Sequence, residues 1–192
     1  MTSKIKWGGI AGIAAAALFI LSAIINQVSP VQRTYDSASS YLYPAVALAG
    51  YVGVIIAVLG IHALHHASPR YGRLGTAGAV LTITGYAIVA VTTVISMAQG
   101  YASLLNVRLA GGVAVLLGSA LLGIVVLRAR LLPWWCGVLL IIVFPLGHVA
   151  NAIFISAENL LMALLWGSAG VALLVRREDV AEPAGTQPAQ AR

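Results

Sequence analysis

The residues able to do chemistry are few, so their types and spacing come first. His62, His65 and His66 stand three and four apart. That spacing puts His62 on one helical face with both of the others. Imidazole ligates zinc, copper, nickel and haem iron, so the triplet is a candidate metal or haem site. The competing reading is a set of interface-seeking histidines near Arg70 that help close a helix end. No carboxylate or thiolate stands close to them in the sequence to complete a ligand set. The single cysteine, Cys136, has no partner for an internal disulfide and fits no metal spacing. The chain has no H-E-x-x-H helix, no phosphate-cradling P-loop and no G-x-S-x-G elbow. Enzymatic activity is therefore disfavoured, and no cofactor is expected. A second set, Ser22, Tyr51, Tyr86, His148 and Asn151, acquires meaning only through the elements that carry it.

Those elements follow from charge. Of 192 residues, 60% are hydrophobic and 8% are charged, with 11 Lys+Arg and 5 Asp+Glu. A soluble domain carries about 25% charged residues. With a mean hydropathy of +0.97, this is an integral membrane protein. The charges leave six charge-free runs, 7–32, 37–69, 74–107, 109–127, 131–157 and 159–175. A spanning helix needs about 20 apolar residues, so each run holds one. In lipid every backbone polar group must be paired, and the runs are continuous rather than alternating, so helices are expected and a barrel is not. The predicted fold is all-α, a polytopic membrane protein of six transmembrane helices over about 8–27, 41–64, 74–97, 109–127, 135–154 and 158–175.

On this frame His148 lies about 20 Å from the inner end of its helix at 1.5 Å per residue. Ser22, Tyr51 and Tyr86 fall at the same depth, and Asn151 lies one turn farther out. Asn26 and Asn159 stand near the same outer boundary. Pro145 is expected to kink the fifth helix and free a carbonyl. His148 should face the bundle interior, bonded to Tyr86, Asn151, a carbonyl near Pro145 or a water. Such a layer is either a ligand pocket or a set of interhelical staples worth about 0.6 kcal/mol each. His62 lies at the opposite end of its helix, so it and His148 cannot share one haem.

Basic residues set the topology. Lys4, Lys6, Arg70, Arg73, Arg128, Arg130, Arg176 and Arg177 flank one side, against Arg33 and Arg108 on the other. Both termini are expected to be cytoplasmic, in a multi-pass plasma-membrane protein. The net charge of +6 is then a topology signal, not a nucleic-acid one. The expected partner is the lipid bilayer, with no nucleic acid; a small-molecule ligand stays unspecified. The domain is 1–177, with residues 178–192 a disordered cytoplasmic tail.

Two stretches look alike, Leu59–Gly75 and Leu122–Gly137. Each has Leu-Gly-Ile-x-x-Leu, then basic or His residues, Pro, aromatics and a new helix. Gly85-Tyr86 matches Gly147-His148 farther on. Helices 2–3 and 4–5 thus read as a parallel repeat of helical hairpins. Tyr71, Trp134 and Trp135 are expected at headgroup depth. The KWGGIAG start, the GRLG hairpin entry and the RxRxLPWW turn resemble small six-helix bacterial membrane proteins of no assigned function. That resemblance implies a six-helix bundle and no activity. Small residues four apart, Gly8/Gly12, Gly12/Ala16, Gly53/Ala57 and Ala163/Gly167, allow close helix approach. They serve internal packing or a homo-oligomer interface. Three functions stay open: a structural or accessory membrane protein, the first choice; a binder or transporter of a small neutral or apolar molecule around His148; and a metal- or haem-binding redox component through the histidine triplet.

Overall fold

The computed structural model describes residues 2–28, 34–66, 68–154 and 156–181. Six helices carry the chain: α1 (Thr2–Val28), α2 (Ala38–His65), α3 (Gly72–Gln99), α4 (Leu105–Ala129), α5 (Trp134–Ile153) and α6 (Ala157–Ala181). All six are long and apolar enough to cross a membrane. The fold is all-helical, as expected. Each helix packs on its neighbours in sequence, and α6 returns to α1, so the six close into a ring. The ends of α2 and α4 meet at the α2–α3 turn, where Arg70 Nη1 donates to the Arg128 carbonyl at 3.4 Å. This end of the ring, with Lys4, Lys6, Arg70, Arg73, Arg128 and Arg130, is its basic face. At the distal face the α1–α2 and α3–α4 connections join, with the Tyr35 amide donating to the Gly100 carbonyl at 2.8 Å.

Helix packing in lipid gains little from apolar burial, so backbone approach at small residues decides which helices meet. A Cβ on Gly8 would lie 2.5 Å from Gly60 Cα, so α1 and α2 touch backbone to backbone. On its other side α1 meets α6, where a Cβ on Gly12 would lie 2.8 Å from the Trp166 carbonyl. Gly78 and Gly85 of α3 face Gly118 and Gly111 of α4 in the same way. Gly123 and Gly137 join α4 to α5 in the basic half of the ring. Gly8, Gly12, Ala16, Gly53 and Gly167 all pack on a neighbouring helix of the same chain. The small-residue spacings are thus spent inside the fold.

The outside of the ring is apolar. Ile20, Ile24, Val52, Val91, Leu117, Val149 and Val171 are all exposed, a surface suited to acyl chains and not to water. The two hairpins agree at one pair of positions and differ at another. Gly85 packs on α4 and Gly147 on Glu158 of α6, so each faces the helix that follows its own. The Leu-Gly-Ile motifs, however, face differently. Leu59 is exposed and Ile61 buried, whereas Leu122 is buried and Ile124 exposed. Gly60 accordingly meets α1, while Gly123 meets α5.

Some boundaries differ from those expected. Helix α4 begins at Leu105 rather than 109, so Arg108 sits in its first turn. A charge near a helix end does not stop the helix, because a long side chain carries it toward the interface. Helix α6 continues through Ala181, into the predicted tail, and residues 182–192 lie outside the described set.

Candidate functional site

In the distal half of the ring, residues of all six helices line a cavity of about 590 Å³. That size falls within the range of about 300–1,000 Å³ typical of small-molecule sites. Between α4 and α5 it has Leu109, Gly112, Val113 and Leu116 on one side and Phe144, Pro145 and His148 on the other. Gly112 is the reason for the room: a Cβ built there meets nothing within 4 Å, unlike the seam glycines. Leu109, Val113 and His148 are exposed, so this flank opens sideways toward lipid.

The cavity's inner wall is aromatic. Phe19, Tyr51 and Phe144 line it together with Met162. Tyr86 stands behind them, buried, 5.8 Å from the Tyr51 ring and 6.3 Å from Phe144, centroid to centroid. The Tyr86 hydroxyl donates to Met162 Sδ at 3.6 Å. Equal counting from the helix ends thus does bring Tyr51 and Tyr86 together. Trp166 completes the cluster, 6.4 Å from Tyr86.

The rim is polar and charged. Tyr43, Arg108, His148, Glu158 and Asn159 all border the cavity. Asn159 Nδ2 donates to the Tyr43 hydroxyl at 3.5 Å. Arg108 lies close enough to hydrogen-bond the Tyr51 hydroxyl, and both Arg108 and Glu158 act on it electrostatically. His148 Nδ1 lies 3.1 Å from the Phe144 carbonyl and 3.9 Å from Glu158 Oε1. No known protein family, curated protein or solved structure matches the chain.

Two of the five residues predicted for the polar layer, Tyr51 and His148, border the cavity. Tyr86 supports its wall from behind. Ser22 is fully buried, its hydroxyl has no hydrogen-bond partner among the described residues, and it does not border the cavity. Asn151 lies in the last turn of α5 and ties down the α5–α6 connection, its Oδ1 accepting from the Ser156 amide at 2.9 Å. Asn26 of α1 donates to the Ser156 hydroxyl at 2.8 Å, so these asparagines pin a turn rather than build a pocket. The expectation that His148 faces the interior is corrected: its side chain is 70% exposed, at the cavity mouth. It satisfies one nitrogen on the Phe144 carbonyl one turn back and needs no interior partner.

Counting charges for topology overlooked Arg108 and Glu158 as site residues. Each stands at the outer end of a span, and only the folded ring turns both onto one cavity. A signal was present all the same: Arg108 is the lone basic residue between the third and fourth runs, with Glu158 close to the same boundary.

The histidine triplet is engaged otherwise. His62 Nδ1 is hydrogen-bonded to the Tyr71 hydroxyl at 2.9 Å, and His65 Nδ1 to the Ile61 carbonyl at 2.9 Å. The rings of His62 and His65 lie 5.4 and 5.8 Å from that of Tyr71. Among the described residues no three His, Cys, Asp or Glu group as a metal site. Tyr71 is buried at this junction, at the basic end of the ring, and burial pushes its phenol up to about 12. Trp134, by contrast, is exposed at the start of α5. A hollow of about 620 Å³ beside this turn, bordered by His66, Arg73 and Thr76, is an open groove on the outside of the ring. It brings together fewer chemistry-bearing groups than the distal cavity, which is why the latter is the candidate site.

Proposed function

We propose that this multi-pass membrane protein binds, and in a cell carries or presents, a small molecule taken from the lipid phase. The reading rests on one observation: a cavity bordered by all six helices, apolar and aromatic within and polar at its rim. Small-molecule sites are built this way, with apolar walls for affinity and a few polar groups for orientation. Tight packing around His148 would instead have favoured a structural or accessory role, and the space beside Gly112 is the reverse of tight packing. The basic face is taken as cytoplasmic, with both termini there, on the strength of the Lys and Arg bias. The cavity then opens in the outer leaflet of the plasma membrane. The resemblance to small six-helix bacterial membrane proteins is part of the same proposal and adds no ligand.

The test is chemical access. In a Cys136→Ser background, Gly112→Cys should react with N-ethylmaleimide in lipid nanodiscs, whereas Ala79→Cys, buried in the helix bundle, should not. A straight-chain amphiphile such as dodecanol should protect the cavity thiol. A Gly112→Cys thiol as inert as one at Ala79, or labelling indifferent to added amphiphile, would overturn the reading.

A further inference from the structure

The charges of the cavity rim are not equivalent. Glu158 has His148 beside it at 3.9 Å. Arg108 has no carboxylate within 4.0 Å among the described residues, and its close polar neighbour is the Tyr51 hydroxyl. A guanidinium is planar and always charged, and its fork of N–H donors matches a carboxylate or phosphate two bonds at a time. A hydroxyl leaves most of that fork unused. Arg108 also has the right position along the membrane normal. It lies in the first turn of α4, at the distal boundary, while Leu116 borders the cavity about two turns deeper on the same helix. From Leu105 to Leu116 the cavity follows α4 for about 16 Å.

From the unanswered guanidinium at the mouth and the apolar channel below it, we infer that the site selects an acidic amphiphile, its anionic head on Arg108 and its tail between α4 and α5. The head would accept from the Arg108 fork at interfacial depth. The Tyr43 and Tyr51 hydroxyls stand ready to donate to the same head. The tail would lie on Phe19, Phe144 and Met162. The sideways opening past Leu109 and Val113 lets such a molecule enter from the leaflet without leaving lipid. Carboxylate and phosphate heads share this chemistry, and the ligand series below separates them.

This inference rests on the proposed binding function, and the experiment separates the failure of each. The full chain in zwitterionic lipid nanodiscs is titrated with dodecanoate, dodecyl phosphate, dodecanol and dodecylammonium, with empty nanodiscs subtracted for partitioning. The tail is constant, so differences report the head. Charge-assisted hydrogen bonds imply a preference of about tenfold or more for the acids over the alcohol. Arg108→Gln should abolish that preference by weakening the two acids far more than dodecanol, and Arg108→Lys, which keeps the charge but not the fork, should keep part of it. The tighter of dodecanoate and dodecyl phosphate names the head. Thermal melting of each variant confirms the fold. Equal binding of all four amphiphiles, or a preference that survives Arg108→Gln, overturns the anion assignment but leaves the cavity a binding site. Binding by none overturns both.

Discussion

Replacing Gly8 by alanine puts the helix-packing argument at risk most directly. The added Cβ would lie 2.5 Å from Gly60 Cα and 3.1 Å from Gly60 N. Carbon atoms pack at about 3.5–4.0 Å, so the approach is short by roughly 1 Å or more. Both obstructing atoms are backbone, and no side chain can rotate out of the way. Helix α1 cannot simply retreat, because its far side already meets α6, with Gly12 against Trp166 and Gly170. Overpacking of this kind costs about 1–3 kcal/mol, and a boxed helix belongs at the upper end. Alanine returns roughly 0.5–1 kcal/mol through helix propensity. The net loss should be about 2–2.5 kcal/mol. Gly112→Ala is the matched control: nothing lies within 4 Å of its Cβ, so the propensity gain stands alone and the protein should be unchanged or slightly more stable. Adding Gly60→Ala to Gly8→Ala should cost less than Gly60→Ala alone, because the helices are already apart. Unfolding of the full chain in mixed micelles titrated with a denaturing detergent reads all four variants against the wild type. Wild-type stability for Gly8→Ala, or an equal loss in Gly112→Ala, would refute the packing argument.

Gly112→Phe should fill the cavity from its open wall, cutting dodecanoate binding tenfold or more with little change in stability; binding at wild-type affinity would move the ligand elsewhere. Burial raises the Tyr71 phenol to about 12, above its ordinary value of 10.0, so its contribution to stability is whole below pH 10 and lost as pH rises toward 12. Tyr71→Phe, which also gives up the His62 hydrogen bond worth about 0.5–1.5 kcal/mol, should show a flatter decline across that window; identical slopes in the two proteins would contradict it. A reporter fused after Arg177 should read as cytoplasmic, and an exported readout would reverse the topology.

Residue types alone determined the solvent, the secondary structure and the number of spans. Sixteen charges among 192 residues, gathered at the ends of six apolar runs, admit one arrangement of backbone in a bilayer, which is six helices. Depth was legible too, since a helix rises evenly, and Tyr51 and Tyr86 meet as equal counts from their ends require. Azimuth was not. Whether a side chain looks inward, sideways or out depends on which neighbours a helix has and how its glycines turn it. Leu59 and Leu122 share a motif and a depth, yet one faces outward and the other the core. His148 turned to the cavity mouth for the same reason, and Asn151 to a loop. The cavity itself is a property of the closed ring. Gly112 reads in sequence like the packing glycines around it, and only tertiary structure leaves empty space beside it and brings Arg108 and Glu158 to the edge of that space. A one-dimensional pattern carries period and depth; rotation about each helix axis is set by contacts that exist only after the six helices have packed.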